Sequence, residues 1–470
     1  MSILVRDIAI AQDQGAIVAQ CTPIGPGAIA LLRISGSNAC IVAERIIQLA
    51  SGEYLTMLPT HTIHYGWVVD VDRTRIDNVL VLLMRGPKTF TGQDTVEITC
   101  HNNQFIIEQI LEVAIAAGAR LAHNGEFSYR AVLNNKIDVI QAESINELIH
   151  ANTQMGLKLA LHQVQGSLSC WISDIEKRLL KVVTYCEASF EFIDEEMGFD
   201  QEIKKFITSV LASIENIKST YNQQQHIRQG IRVAIIGSVN VGKSSLFNAL
   251  LNQNRSIVTN IAGTTRDVVE TGLYRGGHYW TLADTAGLRQ TDDIIEQEGI
   301  ERSREQAELA DIILLVFDAS RELTASEKEI YSELSSTHKN KIIRVYNKAD
   351  LINSLSTHHQ ESTMYLISTK TQYGINVLQV ALEEYIVKLF KTIESPFLLN
   401  KRHYNVLLSL EKELQYVQAY CIDAHSEQQL RYELISYHIV EALAYVGELT
   451  GKSISEQGMD AIFKEFCVGK

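Results

Sequence analysis

The run from Ile231 to Leu251, IRVAIIGSVNVGKSSLFNALL, limits the possible folds more than any other part of the chain. Its opening, IRVAIIG, is apolar and rich in branched side chains, the pattern of a strand buried in a parallel sheet. Its end, KSSLFNALL, has helical spacing. Between them lie Gly237 and Gly242, which let backbone N–H groups turn toward phosphate oxygens. Strand, glycine loop and helix in that order are the context a phosphate-binding loop requires. Val241 and Ser245 flank the cradle. Lys243 is placed to reach the β- and γ-phosphates, and Ser244 offers its hydroxyl to Mg²⁺. Asn240, two residues before the second glycine, has two readings. Its side-chain oxygen suits a monovalent cation held against the phosphates, and an Asn also tolerates a tight turn.

Further nucleotide motifs follow in order. YWTLADTAG ends a strand with Asp284, Thr285, Ala286 and Gly287. Asp284 suits the Mg²⁺ shell, and the Gly287 N–H is placed to sense the γ-phosphate. IAGTTRD lies between this motif and the glycine loop, where a switch loop belongs, and Thr265 is the candidate for the second Mg²⁺ hydroxyl, with Thr264 beside it. KIIRVYNKAD then ends a strand with Asn347, Lys348, Ala349 and Asp350. A carboxylate there accepts from both N1–H and N2–H₂ of guanine, and adenine would leave it unpaired. LISTKTQYG supplies Ser368, Thr369 and Lys370 to a loop over the base. The ordered set defines a GTPase-type domain.

Its chemistry departs from the commonest pattern. Many small GTPases follow DTAG with a Gln that orients the attacking water. Leu288 stands there, and a Leu orients nothing. Asp292, Asp293, Glu296 and Glu298 in the next stretch are the acids within reach, each equally readable as a solvated loop residue. No Arg is placed as a finger against the transferring phosphate, which gives the cation reading of Asn240 its interest.

The rest of the chain has to be accounted for. Its 470 residues suggest two to four domains. Hydrophobic residues at 46% and charged residues at 21% are ordinary for a globular chain. The 7 cysteines are scattered and odd in number, which favours a reducing cytosol. No apolar run is long enough for a bilayer, and the acid-bearing start MSILVRDIAIAQDQG is a poor signal peptide, so a cytoplasmic location is expected. A net charge of -14 does not coat nucleic acid by bulk attraction, so an RNA substrate would need a basic partner or patch.

Before the GTPase segment, Ile172, Ile175, Leu179, Val182 and Cys186 form one helical stripe, and Ile203, Phe206, Val210, Leu211, Ile214 and Ile217 a second. After it, Leu407, Leu410, Leu414, Val417 and Cys421 form a third. They read as one bundle into which the nucleotide domain is inserted. The first ~125 residues differ: GAIALLRISG, HTIHYGWVVD, NVLVLLM and DTVEITCH read as strands, and NQFIIEQILEVAIAAG as a helix ended by Gly118. In this α+β region Arg33, Glu97 and Lys136 are charges in apolar surroundings, either a ligand site or partners of one another.

The chain resembles the tRNA-modification GTPases of the MnmE (TrmE) type. The matching pieces are CTPIGPGAIALLRISG, FTGQDTVEITCHNN, NGEFSYRAVLNNKIDVIQAESINELI, FEFIDEE, GSVNVGKSSLFNALL, TNIAGTTRDVVE, DTAGLRQTDD, NKAD and the terminal FCVGK. The resemblance implies an N-terminal α+β tetrahydrofolate-binding and dimerisation domain over 1–127. It implies an α-helical bundle domain over 128–229 and 389–470, with an α/β P-loop (Ras-like) G domain over 230–388 inserted in it. It further implies that a 5-formyl- or methylene-tetrahydrofolate binds near Arg33, Glu97, Lys136 and Lys470, with Cys467 close by. Asn240, Thr259, Ile261 and Thr264 would surround K⁺, with Asn260, Ala262 and Gly263 completing that loop. Ser244 and Thr265 would hold Mg²⁺, and Glu296 would position the attacking water. The implied partners are a second copy of the chain, an FAD-dependent MnmG protein and tRNA, with no membrane. The implied reaction adds an aminomethyl-type group at carbon five of the wobble uridine.

The sequence departs from the family pattern in places. CHNN stands for His-Gly-Gly, LNNK for Asn-Gly, and GSVN lacks the usual Arg-Pro. Asn reaches the left-handed conformation that Gly prefers, so the turns are expected to survive. A ribosome-assembly GTPase switch is the alternative; it would want an RNA-binding module or a second G domain, and neither a GXXG pattern nor a repeated motif set is present.

Overall fold

The computed structural model describes residues 14–191, 199–221, 224, 227–228, 230–252, 257–260, 269–275, 278–284, 304–352, 364–391, 396–423 and 432–469. The chain divides into two compact units. The first comprises Met1–Asn146, Leu161–Ile214 and Asn400–Lys470; the second comprises Glu147–Ala160 and Glu215–Leu399.

The first unit contains a seven-stranded sheet. Its strands are β1 (Ile17–Gln20), β2 (Ile29–Ser35), β3 (Ile47–Leu49), β4 (Thr62–Val69), β5 (Arg75–Met84), β6 (Thr95–His101) and β7 (Arg120–Leu121), in the order β3-β4-β5-β6-β2-β1-β7. β1 runs parallel to β7, and the other pairs are antiparallel. Alternation sorts the side chains. Ala30, Leu32 and Ile34 of β2, with Val96, Ile98 and Cys100 of β6, share one core with the helices Ala39–Ile46 and Gln104–Ala116. The intervening residues face the other way, so Arg33 and Glu97, directly opposite in the β2–β6 register, come to lie side by side. The four strands and the helix expected from sequence are all present; the short strands β1, β3 and β7 were not anticipated. Gly118 does follow the helix, with φ of +109°.

Two of the three expected helical stripes are buried as read. Ile172, Ile175, Leu179, Val182 and Cys186 are buried on Ser167–Glu191, and Leu407, Leu410, Leu414, Val417 and Cys421 on Lys401–Asp423. On Asp200–Ser219 the buried row is Ile203, Ile207, Val210, Ile214 and Ile217, so Ile207 takes the place assigned to Phe206 and Leu211, both only partly covered. Glu143 on Val139–His150 joins the segment after Leu399. Its carboxylate accepts from Asn400 Nδ2 at 2.9 Å, Arg402 Nε at 2.9 Å, Arg402 Nη2 at 2.6 Å and His403 Nε2 at 2.7 Å.

The second unit holds the other seven-stranded sheet, in the order β14-β13-β12-β8-β11-β10-β9. The strands are β8 (Ile231–Gly237), β9 (Ile257–Asn260), β10 (Val269–Arg275), β11 (His278–Asp284), β12 (Ile312–Asp318), β13 (Ile342–Asn347) and β14 (Met364–Leu366). From β11 to β14 the pairing is parallel, with β8 in the middle, while β9 and β10 add an antiparallel edge. Every residue of β12 is buried, and β8 is nearly so, as the continuous apolar runs require. The ends of β8, β11 and β13 carry Gly237, Asp284 and Asn347, which brings three distant motifs to one edge of the sheet.

Candidate functional site

The glycine loop leaves β8 at Gly237 and enters the helix Lys243–Asn252. Two of its residues need the left-handed region: Asn240 at φ +62° and Gly242 at φ +98°. The turn reading of Asn240 therefore has a geometric basis, and its side chain is exposed at the loop's outer bend. A β-carbon on Gly242 would collide with Asn347 Nδ2, so this glycine is required both by its dihedral and by its neighbour. Lys243 Nζ rests on the carbonyls of Gly237 at 2.9 Å and Ser238 at 2.8 Å. Ser244 and Ser245 stand in the first helical turn, where N–H groups without a helical partner and the positive end of the helix dipole favour phosphate. β11 pairs with β8 so that Asp284 stands opposite Ile235.

The base-reading loops interlock with this cradle. Asn347 is 1% exposed, and both ends of its amide are used. Nδ2 donates to the Val241 carbonyl at 2.9 Å, and Oδ1 accepts from the Thr369 N–H at 3.1 Å. One side chain therefore fixes the phosphate loop and the STK loop to β13. Lys348 has φ of +67°, and its Nζ meets Asp318 Oδ2 at 2.6 Å. The Ala349 N–H donates to the Ile367 carbonyl at 3.0 Å, holding the two base loops together. Ser368 Oγ donates to Asp350 Oδ1 at 2.6 Å, and this bond, with Lys370 and Lys348 near, holds the Asp350 carboxyl below its ordinary value. Asp350 is thus an ionised acceptor aimed from a braced loop, the property that guanine recognition needs.

The structure brings together Val241, Gly242, Lys243, Ser244 and Ser245 with Asn347, Lys348, Ala349, Asp350, Ser368 and Thr369; Lys370 follows in the same loop. Thr259 and Asn260 lie on β9, paired with Gly272 and Thr271 of β10. Ile261, Ala262, Gly263, Thr264, Thr265, Thr285, Ala286, Gly287 and Glu296 lie outside the described residues. Sequence reasoning missed Asp318. Its position as the last residue of the apolar run IILLVFD, at the end of β12, was the signal available. Burial works to raise the Asp318 carboxyl, but the Lys348 and Ser320 hydrogen bonds outweigh it and hold the group ionised.

A second polar cluster lies on the first unit's sheet. Arg33 Nε and Nη2 each approach Glu97 Oε1 at 2.8 Å, and the Arg33 guanidinium lies 5.6 Å from the centroid of the Phe127 ring. Arg33 Nη1 also donates to the Gly469 carbonyl at 3.3 Å, so the C-terminal segment at Gly469 lies on this pair. Gly469, at φ +90°, approaches β1 so closely that a β-carbon would meet the Gln20 carbonyl at 2.6 Å. The Cys21 thiol, another residue that sequence reasoning missed, donates to the same Gly469 carbonyl at 3.2 Å, and burial pushes its pKa up. Cys467 is exposed, and its carbonyl accepts from the Gly125 N–H at 3.3 Å. Lys136 Nζ donates to the Pro87 carbonyl at 2.8 Å; Lys470 lies outside the described residues. Asn135 takes φ of +54°, the left-handed turn expected where the family carries Gly.

A parallel sheet with a glycine loop at its central strand, a phosphate lysine and a braced Asp over the base site is a P-loop GTPase. The sequence pattern of the MnmE helical domain matches residues 139–467, and that of the GTP-binding protein TrmE N-terminus matches 16–136. The chain belongs to the MnmE family of tRNA modification GTPases. It is similar to the tRNA modification GTPase MnmE of Geobacillus thermodenitrificans, 36% identical over 97% of this chain and 99% of that one. The Bacillus subtilis protein of the same name matches at 36% with the same coverage, and that of Flavobacterium johnsoniae at 34% over 97% and 100%. Among solved structures, a variant of Aquifex aeolicus Era bound to GDP and AlF₄⁻ aligns at 28% identity over 33% of this chain and 56% of that one. Its TM-score of 0.27 adds nothing to the strand order above.

Proposed function

We propose that this chain is a K⁺-dependent GTP hydrolase acting in tRNA wobble-uridine modification. With an FAD-containing MnmG-type partner it adds an aminomethyl or carboxymethylaminomethyl group at carbon five, using a 5-formyl- or methylene-tetrahydrofolate one-carbon unit. One observation carries the reading. A chain aligned over 97% of its length with tRNA modification GTPases pairs a braced phosphate and base site with Arg33 and Glu97 beneath a docked tail. A pteridine offers ring N–H groups and a carbonyl that suit a carboxylate and a guanidinium, and Lys136 and Lys470 suit the glutamate tail.

Within the nucleotide site, Ser244 and Thr265 would hold Mg²⁺, which would neutralise charge on the β- and γ-phosphates. Asn240 with Thr259, Ile261 and Thr264 would surround K⁺, and Glu296 would orient water in place of the Gln that Leu288 replaces. The segments 1–127, 128–229 with 389–470, and 230–388 would be the folate, helical and G domains. A homodimer is supported by the open face of the first sheet, where Ile29, Ile63, Tyr65 and Leu80 are at least 50% exposed. The partner supplies what a net charge of -14 withholds from tRNA. A cytoplasmic setting suits these partners; among the described residues no helix is long and apolar enough to cross a membrane.

Cells lacking the chain are expected to lose the carbon-five group from wobble uridines, read by mass analysis of digested tRNA. The wild-type chain restores it and Lys243→Ala does not. Full restoration by Lys243→Ala would remove GTP hydrolysis from the reaction. In the purified protein, exchanging K⁺ for Na⁺ is expected to slow phosphate release by about tenfold or more, the scale of one lost charge-stabilising contact. Equal rates in the two salts would leave Asn240 with its turn role alone.

A further inference from the structure

We infer that Tyr331 is a positioning residue for the phosphate lysine Lys243, acting through Ser238. Tyr331 lies on the helix Ala325–Thr337, is 6% exposed, and packs edge-on against Phe317 with centroids 4.8 Å apart. Its hydroxyl accepts from the Ser238 N–H at 2.7 Å, lies 2.6 Å from Ser238 Oγ, and donates to the Val316 carbonyl at 3.2 Å. The Ser238 hydroxyl proton goes to the Glu327 carboxylate, so the phenol's one proton is shared between Ser238 Oγ and the Val316 carbonyl while its oxygen accepts from the Ser238 N–H. Gly237 and Val316 are neighbours across the β8–β12 register, so the tyrosine pins the first residue of the loop to the adjacent strand.

The Ser238 carbonyl is one of the two on which Lys243 Nζ rests. The Ser238 N–H held by Tyr331 shares its planar peptide group with the Gly237 carbonyl, so the phenol fixes one of the two oxygens that set where the ammonium waits for phosphate. Glu327, one turn earlier on the same helix, reinforces the arrangement. Arg321 grips its carboxylate at 2.6 and 2.9 Å, the Thr324 N–H donates to it at 2.9 Å, and the Arg321 and Ser238 bonds help hold it ionised. Burial pushes the Tyr331 hydroxyl above its ordinary pKa, which keeps it a neutral donor. A serine that follows Gly237 directly is small enough to admit the phenol, whereas a long side chain there would fill that space.

The test titrates the full chain with GDP and with a non-hydrolysable GTP analogue. Tyr331→Phe is expected to raise both dissociation constants roughly 3- to 10-fold, the scale of one or two lost hydrogen bonds. Ser238→Ala, which keeps the N–H bond, is expected to raise them about 2- to 5-fold. The double variant should fall short of the product of the two, because the residues share one bond. Tyr385→Phe is the matched control. It also removes a tyrosine bond to a backbone carbonyl, that of Asn340, and is expected to lower thermal stability while leaving both affinities unchanged. Wild-type affinity in folded Tyr331→Phe would overturn the inference. If Tyr331→Phe does not fold, wild-type affinity in Ser238→Ala would overturn it.

Discussion

Asp350→Asn is expected to weaken GTP binding by on the order of 10³-fold and to turn the site toward xanthine nucleotides. Guanine presents two donors, N1–H and N2–H₂, to one carboxylate. Xanthine presents N1–H and an O2 acceptor, which match the carbonyl and N–H₂ of an Asn side chain. The structure makes the substitution conservative for the fold. Asp350 sits on an exposed loop braced by other groups, the Ala349 N–H to Ile367 and the Asn347 side chain to Val241 and Thr369. Ser368 Oγ, now a donor to Asp350 Oδ1 at 2.6 Å, keeps an acceptor in the Asn carbonyl. Competition titration with GTP, ATP and XTP reads the change. Retained GTP preference would mean that the carboxylate does not face the base.

Glu143→Gln is expected to cost about 3–5 kcal/mol of folding stability, because it removes the charged acceptor on which an arginine, a histidine and an amide converge. The carboxylate accepts four hydrogen bonds, from Asn400, Arg402 twice and His403, and is 8% exposed. Gln keeps one acceptor oxygen, so Arg402 would keep one bond to residue 143 and its bonds to the Glu448 and Leu449 carbonyls at 3.0 and 3.3 Å, while the other oxygen's donors would face an N–H₂ group. Burial alone would raise the Glu143 pKa, but His403 and Arg402 outweigh it and hold the group well below the usual carboxylate range. A folded-state pKa below the unfolded one stabilises the fold at every pH above the unfolded value of about 4.3. That contribution is lost as pH falls from there through the lower folded value. Chemical denaturation of the wild-type chain should therefore show stability falling below about pH 4.5, and the variant should show a flatter profile in that window. Equal stability at pH 7 would mean that the helices meet without the latch.

The nucleotide site was legible because its parts are local. Lys243 lies six residues from Gly237, and its carbonyl partners lie in the same loop. Asp350 and Ser368 are 18 residues apart and end neighbouring strands. Arg33 and Glu97 were legible as anomalies in alternating strands, and alternation explains why they share a face. Periodicity was less reliable where two apolar faces compete. On Asp200–Ser219, Phe206 and Leu211 fit a helical stripe as well as Ile207, and only packing chose Ile207. The two-residue strand β7 was too short to carry any pattern.

By itself the sequence determined which backbone segments turn, which faces are apolar, and where phosphate and guanine chemistry resides. These follow from dihedral preference and spacing along a few contiguous residues. Only the tertiary structure decided that Tyr331 meets Ser238 across 93 residues, that Glu143 meets His403 across 260, and that Gly469 lands on Arg33 across 436. Such contacts depend on which surfaces can be brought together with least lost entropy and no unpaired polar group. A linear pattern records that a side chain is polar or apolar, and leaves its distant partner unspecified.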